Sequence, residues 1–192
     1  MNLKTNAAGT AKHGIKALFE GNIRYISGAP SHPRQDASRR GELLSGQNPF
    51  AVVIACSDSR APVEIIFDCG IGDLFVIRAA GHMLDEAALA SAQYAVEHLG
   101  TPLIVVLGHS NCGAVKSVVE GAHADGHLGR ALEKLRPMVS AAAARGGDPV
   151  DAAVTVNIET SVAALKALSW AANIKIIGMR YDLQSGKVKE IC

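Results

Sequence analysis

The stretch A-V-V-I-A-C-S-D-S-R at Ala51–Arg60 decides the fold of this chain. An unbroken apolar run leads there into a cysteine, an aspartate and an arginine, which predicts a strand buried on both faces of a sheet. A second stretch, L-I-V-V-L-G at Leu103–Gly108, has the same form and leads into H-S-N-C-G at 109–113. In open α/β sheets ligands bind beyond the carboxyl ends of the strands, so the polar residues after both runs are expected to meet at one sheet edge.

Composition limits the class of protein. The chain has 192 residues, of which 48% are hydrophobic, and this predicts a single domain over residues 1–192. A net charge of +1 without a basic stripe predicts no nucleic-acid partner. The sequence shows neither an apolar run of about 18 residues, as a membrane span needs, nor a signal-peptide core. We therefore expect a cytoplasmic protein with reduced cysteines and no membrane partner.

Predicted strands alternate with predicted helices, which favours an α/β fold. We expect a mainly parallel central β-sheet flanked by helices, with an N-terminal helical arm over residues 1–45 and a C-terminal edge strand. The connection at 28–36 is long enough to wrap a neighbouring subunit. The predicted strands are 51–55, 74–78, 103–108, 174–180 and 187–191, and the predicted helices are 11–27, 37–44, 61–67, 86–99, 113–120, 130–144 and 151–170.

Cys56, His109 and Cys112 are candidate metal ligands. Zinc favours thiolate and imidazole ligands in tetrahedral geometry, and three protein ligands leave a fourth position open, as in catalytic sites. Asp58 could then orient a water molecule at the open position, and Arg60 could keep Asp58 ionised through a bidentate pair. A plainer interpretation remains open, because a buried cysteine is often only a small apolar residue and an Asp–Arg pair is common on surfaces.

The motifs C-S-D-S-R at 56–60, G-D-L-F-V-I-R-A-A-G at 72–81 and G-H-S-N-C-G-A at 108–114 occur in an order that resembles the β-class carbonic anhydrases. The resemblance implies that Cys56, His109 and Cys112 bind one Zn²⁺ per chain, with an Asp58–Arg60 pair beside the open position.

The same resemblance implies a substrate pocket made by two subunits. Gln47 matches a glutamine that donates a hydrogen bond to substrate across a subunit interface. Gly113 matches a position whose backbone amide faces the substrate, and Phe75 and Tyr94 match residues that line a narrow apolar pocket. A homodimer, or an oligomer built from dimers, is therefore expected.

The activity that the resemblance implies is reversible hydration of carbon dioxide to bicarbonate and a proton by zinc-bound hydroxide. Asp58 orients the hydroxide in this scheme, and it is also a possible fourth zinc ligand in a closed state. Two alternatives stay open, namely a carbonyl sulfide or carbon disulfide hydrolase on the same scaffold and a non-catalytic bicarbonate-binding zinc protein.

Two positions depart from the family pattern. His82 stands where many members have asparagine. Val53 stands where a subset of the family has the tryptophan of an inhibitory bicarbonate site, although Arg78 and Tyr181 match the other two residues of that site.

Overall fold

The computed structural model describes residues 7–192, and side chains from residue 10 onward. Its centre is a five-stranded sheet with the order β2-β1-β3-β4-β5, in which β5 runs antiparallel to β4 and all other neighbours are parallel. This confirms the predicted α/β fold with a mainly parallel sheet and a C-terminal edge strand. The strands are β1 (Ala51–Cys56), β2 (Leu74–Ala79), β3 (Leu103–His109), β4 (Lys175–Tyr181) and β5 (Val188–Glu190).

The two strands predicted to be buried on both faces lie at the centre of the sheet. Every residue of β1 and β3 is buried. Successive side chains of a strand point to opposite faces, so β1 divides its residues between two apolar layers. Val52, Ile54 and Cys56 enter one layer, while the residues between them enter the other. Apolar residues are therefore needed at every position of β1, and Cys56 belongs to a defined face.

Helices cover both faces of the sheet, and several of their predicted ends were wrong. The first helix begins at Ala7 instead of residue 11. The helix predicted at 130–144 begins at Gly126, and the one predicted at 151–170 begins at Pro149, because Asp148 caps it by accepting from the Asp151 amide. The helices are α1 (Ala7–Ile26), α2 (Ala37–Glu42), α3 (Val63–Ile66), α4 (Glu86–Glu97), α5 (Gly113–Val119), α6 (Gly126–Ala142) and α7 (Pro149–Lys166).

The N-terminal arm is part of the core of its own chain. Leu18 of α1 is fully buried. Asn22 donates to the carbonyl oxygens of Ile66 and Gly186 and accepts from the amide of Val188. Residues 1–6 of the predicted arm lie outside the described residues, and a contact of the arm with a second subunit remains a prediction.

The long 28–36 connection is tied to the turn that precedes β2. Asp68 in that turn accepts hydrogen bonds from the backbone amides of Ser31 and His32. Arg34 pairs with Asp73 of the same turn. The connection therefore packs on its own chain, whether or not it also reaches a partner. Within residues 7–192, no helix has the length and apolar character needed to cross a membrane.

Candidate metal centre and active site

Two strand ends and one helix start bring three candidate ligands together. Cys56 is the last residue of β1, His109 is the last residue of β3, and Cys112 directly precedes α5. Their ligand atoms all lie within 4.8 Å of one another. Asn111 adopts a positive φ of 51°, which lets the short turn bring Cys112 back towards His109. The convergence expected from the sequence is thus present.

The distances and hydrogen bonds of this group fit a tetrahedral metal ion. The two sulfur atoms of Cys56 and Cys112 lie 3.9 Å apart. Two thiolates on one zinc, at metal–sulfur bonds of about 2.3 Å, lie about 3.8 Å apart. The Nδ1 atom of His109 is 2.9 Å from the carbonyl oxygen of Ser110, to which it can donate, while the buried Nε2 has no hydrogen-bond partner among the described residues. A protein that fixes one imidazole nitrogen in this way leaves the other available to a metal.

The two thiols are strongly coupled. The hydrogen bond from Cys112 lowers the pKa of the Cys56 thiol far below its usual value, against the effect of burial. The same hydrogen bond, together with burial, raises the pKa of Cys112. A divalent cation bound between the two sulfurs would favour the thiolate form of both cysteines and displace protons from them.

Asp58 lies beside the group and is paired with Arg60. The two carboxylate oxygens accept from Arg60 Nε at 2.9 Å and from Arg60 Nη2 at 2.6 Å. This pairing, more than any other contact, lowers the pKa of Asp58 to about 2. Asp58 Oδ2 is 3.8 Å from His109 Nε2, yet the Cys–His–Cys group found among the described residues does not include Asp58. The carboxylate is ionised and turned towards Arg60.

Arg78 has a positioning role that the sequence did not reveal. Its Nε donates to the carbonyl oxygen of Cys56 at 2.9 Å, and its Nη2 donates to the carbonyl oxygen of Asp58 at 2.6 Å. Arg78 lies opposite Ala55 in the register of β1 and β2. The guanidinium thus fixes the backbone that carries both Cys56 and Asp58. From the sequence, Arg78 was a charged residue near the end of a predicted strand and a match to one residue of the inhibitory bicarbonate site, and neither signal indicated this positioning role.

His82 is buried near the Cys–His–Cys group, although its position in a predicted loop did not indicate burial. The side chain is 1% exposed, and neither ring nitrogen has a hydrogen-bond partner within the described part of the chain. Burial lowers the pKa of His82 to about 4, so the imidazole is neutral at physiological pH. Its neighbour Gly81 donates its backbone N–H to the sulfur of Cys56 at 3.3 Å. The turn after β2 therefore belongs to the surroundings of the site.

Of the predicted pocket residues, the structure brings Phe75 and Tyr94 together. Their ring centroids are 6.3 Å apart, and Tyr94 is 48% exposed. A Cβ atom built on Gly113 would meet no atom within 4 Å, so the space in front of this backbone is open. Gln47 is exposed in the segment before β1. Its role across a subunit interface remains a prediction.

The three residues that correspond to the inhibitory bicarbonate site have the following contacts in this chain. Val53 is fully buried in β1. Arg78 is engaged by two backbone carbonyls, as described above. The hydroxyl of Tyr181 lies 3.2 Å from the hydroxyl of Tyr25.

Comparison with known proteins places this arrangement in a family. An α/β sheet with cysteine and histidine side chains at adjacent strand ends is typical of a protein with a metal site, and the group found here could hold a metal ion. The profile of the carbonic anhydrase family matches residues 51–188. Carbonic anhydrase 2 of Mycobacterium tuberculosis is 42% identical over 183 residues, which cover 90% of this chain and 88% of that protein.

Solved structures agree with the sequence match. The Coccomyxa β-carbonic anhydrase, solved in complex with acetazolamide, superposes with a TM-score of 0.73 at 27% identity, covering 92% of this chain and 86% of that one. A tetrameric β-carbonic anhydrase of Sordaria macrospora gives a TM-score of 0.72 at 26% identity, covering 94% and 97%. The chain belongs to the β-class carbonic anhydrase family.

Proposed function

We propose that this protein catalyses the zinc-dependent reversible hydration of carbon dioxide to bicarbonate and a proton. The observation that carries the proposal is the three-ligand group of Cys56, His109 and Cys112 with an ionised carboxylate next to it. The protein supplies three soft ligands and keeps its nearest carboxylate on Arg60, which leaves room for a small molecule at the fourth position.

Zinc, when bound, would supply Lewis-acid activation of a water molecule as the nucleophile. Residues of the chain would orient that water molecule. Asp58 is acceptor-only when ionised, and its Oδ2 faces the metal group at 3.8 Å from His109 Nε2, so it can accept a hydrogen bond from the attacking water and orient it. Arg60 occupies both carboxylate oxygens and also donates to the carbonyl oxygen of Asn111 at 3.3 Å. It thereby holds Asp58 at the site and away from direct ligation.

The substrate would lie against the open face of Gly113. Carbon dioxide is small and apolar, and the paired rings of Phe75 and Tyr94 offer an apolar wall. Carbon dioxide carries no net charge, so the pocket needs a hydrogen-bond donor for an anionic oxygen only once bicarbonate has formed. Gln47 of a second subunit would then add an amide donor for the product oxygens, in accord with its exposed position in a single chain.

The site therefore needs a second copy of the chain, and we propose a homodimer or an oligomer built from dimers. Two large apolar side chains, Ile23 on α1 and Ile65 on α3, are each 60% exposed, and these two helices pack against each other. Exposed apolar surface of this kind is typical of an interface. The Sordaria macrospora relatives are described as tetrameric.

The metal and the activity are tested together. Purified protein should contain about one zinc per chain, and stopped-flow assays should show rapid hydration of carbon dioxide. Cys56→Ser should lose both zinc and activity, whereas the matched variant Cys69→Ser, at a buried cysteine outside the group, should retain both. Full activity in a thoroughly metal-free preparation would refute the proposal.

The same preparation should be assayed with carbonyl sulfide in parallel. Turnover of carbon dioxide well above that of carbonyl sulfide supports the anhydrase function. The opposite ratio would reassign the protein as a hydrolase, and zinc binding without either activity would make it a non-catalytic zinc protein.

The interface is tested with charge substitutions on the exposed isoleucines. The double variant Ile23→Asp/Ile65→Asp should shift the light-scattering mass to that of a monomer and lower activity, because Gln47 then no longer reaches a neighbouring site. Leu128→Asp is the matched control, since Leu128 on α6 is 57% exposed. A wild-type monomer with full activity would contradict the assembly.

A further inference from the structure

The sulfur of Cys56 receives a hydrogen bond from a turn that the proposed chemistry does not use. The backbone N–H of Gly81 donates to Cys56 Sγ at 3.3 Å. Gly81 is the middle residue of the 3-10 turn Ala80–His82 and has a φ of 63°. A hydrogen bond to a thiolate draws charge from the sulfur and fixes its direction, so the orientation of Gly81 bears on how Cys56 binds a metal.

The other side of Gly81 is held by a helix that is distant in sequence. Asn157 of α7 donates from Nδ2 to the carbonyl oxygen of Gly81 at 2.9 Å. Asn157 is 1% exposed and lies on a buried helix face with Val154, Ile158 and Val162. Burying an amide costs free energy unless it is hydrogen-bonded, so an apolar residue would be the simpler choice there. The contact with Gly81 accounts for the polar side chain.

Gly81 itself has little room for a side chain. A Cβ atom on Gly81 would lie 3.1 Å from Leu135 Cδ1 and 3.5 Å from Ala114 Cβ, so the packing of α6 and α5 leaves space for little more than glycine. Glycine moves readily between backbone conformations, and a positive φ is natural for it. The hydrogen bond from Asn157 therefore adds to the packing of the turn and fixes the direction of the Gly81 peptide.

We propose that Asn157 is a positioning residue of the metal centre, which holds Gly81 by its carbonyl so that the amide of Gly81 points at the metal-ligating sulfur of Cys56. Two hydrogen bonds, one to the carbonyl of Gly81 and one from its amide, thus connect Asn157 on α7 to Cys56. The inference rests on the proposed function only in that Cys56 must bind a metal ion.

The test compares two variants of Asn157 with a neighbour on the same helix. Asn157→Leu keeps the approximate shape and removes the donor, and Asn157→Ala removes the side-chain amide altogether. Ser161→Ala is the control, because Ser161 is also buried on α7, one turn further along. Circular dichroism and thermal unfolding report whether each variant is folded.

Zinc affinity is measured by competition with a chromophoric chelator. Both Asn157 variants should bind zinc about 10- to 100-fold more weakly than the wild type, as is typical when a partner of a metal ligand is removed. In the cobalt-substituted protein their sulfur-to-cobalt charge-transfer band should move to longer wavelength, because the sulfur lone pairs lose a hydrogen bond. Amide exchange of residues 79–83 in the metal-free variants should be faster than in the wild type.

The outcomes separate this inference from the proposed function. If the wild type binds no zinc, the proposed function fails. If the wild type binds zinc and the folded Asn157 variants match Ser161→Ala in affinity, cobalt spectrum and amide exchange, Asn157 has only a packing role and the inference is overturned.

Discussion

The chain uses aspartate–arginine pairs in two regions for opposite purposes. At the site, Asp58 and Arg60 are two residues apart, and the arginine side chain is 51% exposed. In the turn before β2, Asp68 pairs with Arg24 and Asp73 pairs with Arg34, each across a long stretch of chain, and the two aspartate side chains are 1% and 7% exposed. The chemistry is the same, but burial and sequence separation differ.

The difference lies in how fully each carboxylate is used. Asp68 accepts from Arg24, from the amide and hydroxyl of Ser31 and from the amide of His32. It is saturated and joins the N-terminal segment to the body of the protein. In residues 7–192 the Asp58 carboxylate receives hydrogen bonds from Arg60 alone, and its Oδ2 lies 3.8 Å from His109 Nε2. A carboxylate with free lone pairs can accept a hydrogen bond from a bound ligand. A carboxylate whose lone pairs are all engaged by the protein can only stabilise the fold.

The largest expected effect is on stability at the saturated pair. Asp68→Asn removes the buried charge that Arg24 and the Ser31–His32 backbone face, and should lower the free energy of unfolding by about 3 kcal/mol. Urea unfolding measures it. The activity per folded molecule should remain near that of the wild type, and a specific loss of turnover would break the distinction between the two regions.

At the site the expected effect is on turnover. Asp58→Asn keeps the size of the side chain and removes the full negative charge that orients the nucleophile, and should lower kcat/KM about 10- to 100-fold with zinc content unchanged. Stopped-flow kinetics and metal analysis measure both quantities. Unchanged turnover would leave Asp58 with no role beyond pairing with Arg60.

A pH titration of stability sharpens the comparison. Burial alone would raise the pKa of Asp68, but the hydrogen bonds from Arg24, Ser31 and His32 outweigh it and hold the pKa well below its usual range. A carboxyl with a depressed folded pKa stabilises the protein above its unfolded value of about 3.9 and loses that contribution as pH falls. The wild type should therefore lose stability steeply below about pH 4, and Asp68→Asn should show a shallower slope. Equal slopes would remove Asp68 as the cause.

The smallest effect is expected from one methyl group. A Cβ on Gly70, in the saturated turn, would lie 2.1 Å from the Pro33 carbonyl oxygen, whereas one on Gly113 would meet nothing within 4 Å. Gly113→Ala should thus fold normally and lower kcat/KM several-fold by occupying substrate space. Gly146→Ala, at another open glycine, is the control. Identical kinetics for both variants would show that substrate does not use the face of Gly113.

The sequence predicted those features of the fold and the site that depend on residues close together in the chain. The buried strands and the meeting of Cys56, His109 and Cys112 follow from apolar runs that end in these residues. The Asp58–Arg60 pair was predictable because the two residues are only two positions apart. Arg78, Asn157 and Asp68 were missed as partners because each acts on residues far away in the chain. Helix ends at Ala7 and Gly126 were misplaced because small residues give little periodicity to read.

The register of β1 and β3 would also link metal binding to correct folding. Ala55 pairs with Leu107, so the next residues along the two strands are Cys56 and Gly108, directly before His109. A slip of one residue would turn Cys56 to the opposite face of the sheet and separate it from the other ligands. An ion that needs all three ligands stabilises only chains with the correct register.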